Sequence, residues 1–240
     1  MSSRSPLTVL PHPTRLLRLY LGLVLFGASI ALMVRADLGL ASWDVLHQGL
    51  AHQTGLPIGW MVIGVSVLVL ALWIPLRQRP GLGTVSNVVM VGLSVDAALA
   101  LLPEPGHLAV RTALLVAGVV LNGVATGLYI GAGLGPGPRD GLMTGLAARG
   151  LSIRLARTSI ELTVLAIGWL LGGTIGAGTL LYALAIGPLA HYFIPRLTPA
   201  RPTSGERRQP RRRPPPPRSG TRGGPGRRPV PGCWSGVARR

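Results

Sequence analysis

Apolar residues occur in long runs along this chain, and polar residues gather between them. A run of about 18 or more such residues can span a hydrocarbon core of roughly 30 Å. Six runs are read here, over residues 16–34, 58–76, 84–102, 110–131, 158–174 and 178–194. Helices are the form expected for them, because backbone groups in lipid must be satisfied within their own segment. The pattern predicts an all-α polytopic membrane protein of about six transmembrane helices.

The two halves of the pattern repeat. Leu38-Gly39-Leu40-Ala41-Ser42-Trp43-Asp44-Val45-Leu46-His47-Gln48-Gly49-Leu50 is answered 96 positions later by Leu134-Gly135-Pro136-Gly137-Pro138-Arg139-Asp140-Gly141-Leu142-Met143-Thr144-Gly145-Leu146. Both read Leu-Gly-x4-Asp-x-Leu-x2-Gly-Leu. Gly22 and Gly27 fall against Gly118 and Gly123 at the same offset. After a one-residue slip, Gly81, Gly83, Thr84 and Gly92 meet Gly176, Gly178, Thr179 and Gly187. The chain therefore divides into an N-terminal segment (1–14), a first membrane repeat (15–103), a second (109–197) and a tail (198–240). Segments 44–53 and 140–149 are only about ten residues long, too short to cross alone. Each repeat thus has three spans, and the two should enter the membrane in opposite directions.

Charge placement supports that arrangement. Arg15 and Arg18 flank the first run, Arg77 and Arg79 lie between the second and third, and Arg139, Arg149, Arg154 and Arg157 lie between the fourth and fifth. The remaining loops hold little, with Arg35 after the first run and Arg111 at the start of the fourth. Arginine excess marks cytoplasmic loops, so both termini are expected inside a bacterial cell membrane. Residues 1–36 also resemble a signal peptide, with a basic start and an apolar stretch. The run is long for that role and its glycines have partners in the second half, so an uncleaved first helix is expected.

Composition changes the picture only at the C-terminus. The chain is 48% hydrophobic and 13% charged, with a formal net charge of +17. Residues 199–240 hold twelve arginines and one acid, Glu206, so most of that charge lies outside the membrane body. The Pro-, Arg- and Gly-rich tail cannot bury apolar surface and is expected to be disordered. Its readings are a solvated positive-inside tail, contact with anionic lipid, or nucleic-acid contact. Every basic residue counted is arginine, and the single cysteine, Cys233, rules out an intramolecular disulfide.

The repeated turn carries the candidate chemistry. Gly39, Gly135, Gly137 and Gly141 permit backbone conformations barred to other residues, and Pro136 and Pro138 remove donors and fix φ. Such a string breaks a helix, leaving Asp44 and Asp140 where a short helix begins. A carboxylate there can cap exposed N–H groups. Alternatively, two half-helices dip toward the midplane and their Asp side chains contact a solute or cation. Arg139 could bind an anion or pair locally. Intramembrane polar residues carry a default functional suspicion. Glu161 can pair with Arg157 on one helix face. Asp96 aligns with His191 near a helix end, where snorkelling or a proton relay would both fit. Asn87 and Asn122 suit hydrogen bonds between helices. The five histidines, including His47 and His191, show no metal-ligand spacing, and the glycines of 131–141 fail the context of a dinucleotide fingerprint. No enzyme activity, cofactor or metal is expected.

These same residues resemble a known family, bacterial integral membrane proteins of the YczE/YitT type. The resemblance rests on residues 37–50 and 131–146, on Arg157-x3-Glu161, on Gly168-Trp169-Leu-Leu-Gly-Gly173, and on Gly178-Thr179 and Gly187-Pro188. It covers about 15–197 and leaves out the tail. It implies a multi-spanning protein of the kind often guessed to be a transporter, and brings no established functional residues. The expected partners are therefore the lipid bilayer and an unknown small solute or ion, with room for an oligomer. The expected function is a small-solute transporter or permease with its site at the repeat interface. The alternative is a non-transporting membrane scaffold or accessory protein.

Overall fold

A computed structural model describes residues 13–150 and 152–198. The expectations for the N-terminal segment before Pro13 and for the tail beyond Thr198 lie outside the described residues. Nine helices form among them: α1 (Pro13–Ala36), α2 (Ser42–Thr54), α3 (Ile58–Ala71), α4 (Trp73–Leu76), α5 (Leu82–Leu101), α6 (Leu108–Gly131), α7 (Pro138–Ala147), α8 (Ile153–Leu170) and α9 (Ala177–Leu197).

Five stretches are long and apolar enough to cross a membrane: α1, α3 with α4, α5, α6 and α9. This is one fewer than the runs suggest. The exception is α8, whose 18 residues include Arg154, Arg157 and Glu161. Three charges lower its apolar character below that of the others.

The helix order of the first half resembles that of the second, and two backbone contacts are matched between them. The carbonyl of Leu134 accepts from Gly83 N–H at 2.9 Å, and that of Leu38 accepts from Gly178 N–H at 2.8 Å. Each half therefore inserts its glycine turn against the N-terminus of the other half's last helix. Gly81 N–H donates to Thr84 Oγ1 at 3.2 Å, matched by Gly176 N–H and Thr179 Oγ1 at 3.3 Å. Along the α1–α6 seam Gly22 abuts Ala125 and Tyr129, while Gly118 abuts Ser29 and Met33. These two equivalent helices thus run antiparallel. Small residues at such seams let backbones approach closely, which drives association in lipid.

The other seams give each helix its direction. Gly27 of α1 meets Val91 and Val95 of α5, and the Arg35 guanidinium reaches the Leu99 carbonyl at 2.8 Å. These two helices are parallel. Between α3 and α5, Gly59 faces Asp96 and Ile63 faces Gly92, so that pair is antiparallel. Hence α3 starts at the end where α1 finishes, and α2 between them turns back without crossing. On the α6–α9 seam Gly123 meets Leu189 and Gly131 meets Leu197, again parallel.

The core sits on these seams. Leu19, Leu23, Ile30, Val91 and Val95 form its largest cluster, with Tyr129 closing it from α6. α8 and α9 contribute little: only Ala156, Gly168 and Gly178 are buried on them.

Candidate functional site

The two short helices begin beside one another. Gly39 (φ 111°) and Gly135 (φ 129°) turn the chain in the left-handed region, where an L side chain is strained. Extended backbone then leads into the N-caps Ala41 and Gly137. Pro138 opens α7 at its first position, where its missing N–H costs nothing. The Trp73 indole donates to the Pro138 carbonyl at 3.0 Å and holds that start in place. From their meeting point the helices diverge. His52 and Gln53 at the end of α2 reach the Gly172 and Leu171 carbonyls, and Arg149 after α7 reaches Pro75.

Asp44 and Asp140 each lie in the first turn of their helix, but neither caps it. The N-cap residues Ala41 and Gly137 have no side-chain cap bond. Both carboxylates meet tertiary partners at the positive ends of their helices. Asp44 is 2% exposed, with Oδ1 lying 3.4 Å from His47 Nδ1 and 3.7 Å from the Arg139 guanidinium. Asp140 Oδ2 accepts from Tyr129 O–H at 2.9 Å. The Arg139 guanidinium also stands 5.0 Å over the Trp43 ring, a cation–π distance.

Around this junction lies a cavity of about 450 Å³. Of the sequence-derived candidates, Arg139, Asp140, Gly137, Glu161, Asn87 and Asn122 line it. Asn122 also bridges helices, donating to Ser29 Oγ at 2.8 Å and accepting from Tyr182 O–H at 3.1 Å. Glu161 accepts from Arg157 Nε at 3.0 Å, the pairing expected one turn apart. Asp44 sits behind the wall. Gly39 and Gly135 are spent on the turns, each packed on the N-terminus of the opposite half's last helix.

Asp96 is a correction. It does not line the cavity; its Oδ1 accepts from Gly59 N–H at 2.7 Å and so satisfies a free donor in the first turn of α3. Its repeat mate His191 does line the cavity. Sequence reasoning missed Trp43, Thr126, Tyr129 and Tyr182 as lining residues. Aromatic residues inside apolar runs gave no signal there, because packing explains them equally well.

The matched halves differ at one seam. Gly92 is pressed onto α3: an added Cβ would lie 2.5 Å from the Gly59 carbonyl oxygen and from Ile63 Cγ1. Its mate Gly187 meets nothing within 4 Å and faces the cavity. So α3 and α5 are closed on each other, whereas α8 and α9 stand apart with the cavity between them.

Comparison with known proteins covers the membrane body. Residues 13–195 match the model of a family of unknown function, DUF6198. The chain belongs to the DUF6198 family. This DUF6198 protein is 40% identical over 177 residues to an uncharacterised protein of Haemophilus influenzae, covering 73% of this chain and 81% of that one. It is 34% identical over 181 residues to the uncharacterised membrane protein YczE of Bacillus subtilis, covering 74% and 84%. A second Bacillus subtilis protein, the uncharacterised YyaS, is 29% identical over 182 residues, covering 73% and 90%. No solved structure matches. The expected kinship with YczE is shown, and with the apolar helices it makes this DUF6198 protein a membrane protein.

Proposed function

We propose that the chain is a small-solute transporter built from two inverted repeats, working by alternating access around the junction of α2 and α7. Inverted repeats with half-helices meeting at a central site are a recurring transporter construction. Here α8 acts as the sixth span, its length of roughly 27 Å matching the bilayer core, with Arg157 and Glu161 on the cavity wall. Both termini lie in the cytoplasm, on the arginine-rich side.

The observation that carries this reading is the unequal seam. Two halves built on one pattern close α3 on α5 at Gly92 and leave α8 apart from α9 at Gly187. Exchanging those arrangements would move the opening of the cavity to the other membrane face without disturbing the junction. A scaffold needs no such asymmetry around a cavity lined by Arg139, Asp140, Arg157 and Glu161, since charges are costly within a membrane.

Two-sided thiol labelling tests this. With Cys233 replaced by serine, the Cβ of Gly137→Cys would lie 3.5 Å from the Tyr129 hydroxyl, an ordinary contact, and 3.3 Å from Asp140 Oδ2, so that carboxylate must give by a few tenths of an ångström at the cavity wall. Membrane-impermeant maleimide is expected to reach it from both faces, applied in turn to right-side-out and inverted vesicles. Labelling confined to one face would sink alternating access and leave the scaffold reading ahead.

A further inference from the structure

The cavity's charges are not equally satisfied. Arg157 and Glu161 neutralise each other at 3.0 Å. Asp140 has the Tyr129 hydroxyl. The Arg139 guanidinium, by contrast, makes no hydrogen bond among the described residues; Asp44 lies 3.7 Å away, close enough for Coulomb attraction but not for a bond. A guanidinium has five N–H donors in a fixed fork, and this one faces a cavity with all of them free.

More donors surround it. The first N–H groups of a helix have no intrahelical acceptor, and two helix starts, α2 and α7, meet here. Trp43 lines the cavity and is 6% exposed, yet its indole Nε1–H is buried without a partner. An unpaired buried donor carries its full desolvation cost. The free Arg139 fork and two positive helix ends thus meet at one place. Beyond them the wall becomes apolar, with Phe26, Val62, Ile130 and Ile186.

We propose that this site binds the carboxylate of a small organic monoanion. Its oxygens are held by the Arg139 fork and the opening turns of α2 and α7, and its apolar remainder lies against that wall. Arginine pairs with carboxylates through two parallel bonds, and a half-helix N-terminus favours negative charge. Asp44 serves as the counter-ion of the empty site. It competes with the ligand for Arg139, and with Asp140 alongside it limits the ligand to one negative charge. The assignment rests on the transporter reading above and names its substrate class.

Calorimetric titration of the full chain in nanodiscs tests it, with sodium benzoate, sodium acetate and sodium phosphate as anions and benzamide as neutral isostere. Benzoate is expected to bind, more tightly than acetate, because it also fills the apolar wall. Phosphate and benzamide are expected to bind at least tenfold more weakly than benzoate. Asp44→Asn should tighten benzoate about tenfold, and Arg139→Gln should weaken it by a similar factor, the scale of one charge-assisted hydrogen bond. The opposite signs guard against misfolding, since a damaged fold cannot gain affinity. Benzamide or phosphate binding as well as benzoate, or Asp44→Asn weakening benzoate, would overturn the proposal. Benzoate binding with one-sided labelling of Gly137→Cys would remove transport and leave the anion site. Two-sided labelling without benzoate binding would remove the substrate class alone.

Discussion

Gly39→Ala is expected to cost roughly 2–6 kcal/mol, from backbone strain and overpacking together. The new Cβ would stand 2.6 Å from Gly176 N and 2.8 Å from Thr179 Oγ1, at a φ of 111°. It would also push on the bond from Gly178 N–H to the Leu38 carbonyl, one of the two matched backbone bonds between a glycine turn and the opposite half's last helix. Gly135→Ala should behave alike, with Thr84 Oγ1 2.9 Å from its Cβ and a φ of 129°. Gly55 separates the two causes, because it has φ 72° and nothing within 4 Å of an added Cβ. Gly55→Ala therefore measures strain alone, roughly 1–2 kcal/mol. Unfolding of the three variants in mixed micelles makes the comparison. Equal losses at Gly39 and Gly55 would mean that the interlocking contact contributes nothing.

Alanine at Gly92 and at Gly187 should have opposite consequences, although the positions are repeat mates. Gly92→Ala places its methyl against the Gly59 carbonyl and Ile63, which must prise α3 from α5 at a cost of about 1–3 kcal/mol. Gly187→Ala meets open space and gains about 0.5–1 kcal/mol of helix propensity. Thermal unfolding in detergent reads both. The conformational effect is larger if the two seams alternate, since opening one favours closing the other. Spin labels at Leu162 on α8 and Leu184 on α9, both exposed, should draw together in Gly92→Ala and keep their separation in Gly187→Ala. An unchanged distance in Gly92→Ala would show that the seams are independent and would remove the physical basis of alternation.

Much of this architecture was legible beforehand because it depends on periodic patterns. Long apolar runs marked helices α1, α3, α5, α6 and α9 within a few residues, and the Leu-Gly-x4-Asp string located both short helices. The sixth run is instructive. Its apolar stretch was visible, but Arg154, Arg157 and Glu161 set α8 apart from the five helices apolar enough to cross. Asp44 and Asp140 look alike in the string and end in different surroundings. One is buried against His47 and Arg139, and the other is bonded to Tyr129 at the cavity wall. No local pattern separates them, because the difference comes from partners supplied by the opposite half.

The sequence by itself determined the membrane class, the breaks at the glycine turns and the family, since each rests on composition or on residues near one another in the chain. Only the tertiary structure decided that the half-helices begin side by side, and that Asp96 satisfies α3 instead of facing a solute. It alone decided that Gly92 is closed while Gly187 is open. The reason is physical. Contacts between α5 and α3, or between Arg139 and Asp44, join residues tens of positions apart, and they are set by how whole helices pack. Equal sequence halves cannot announce which of them will close.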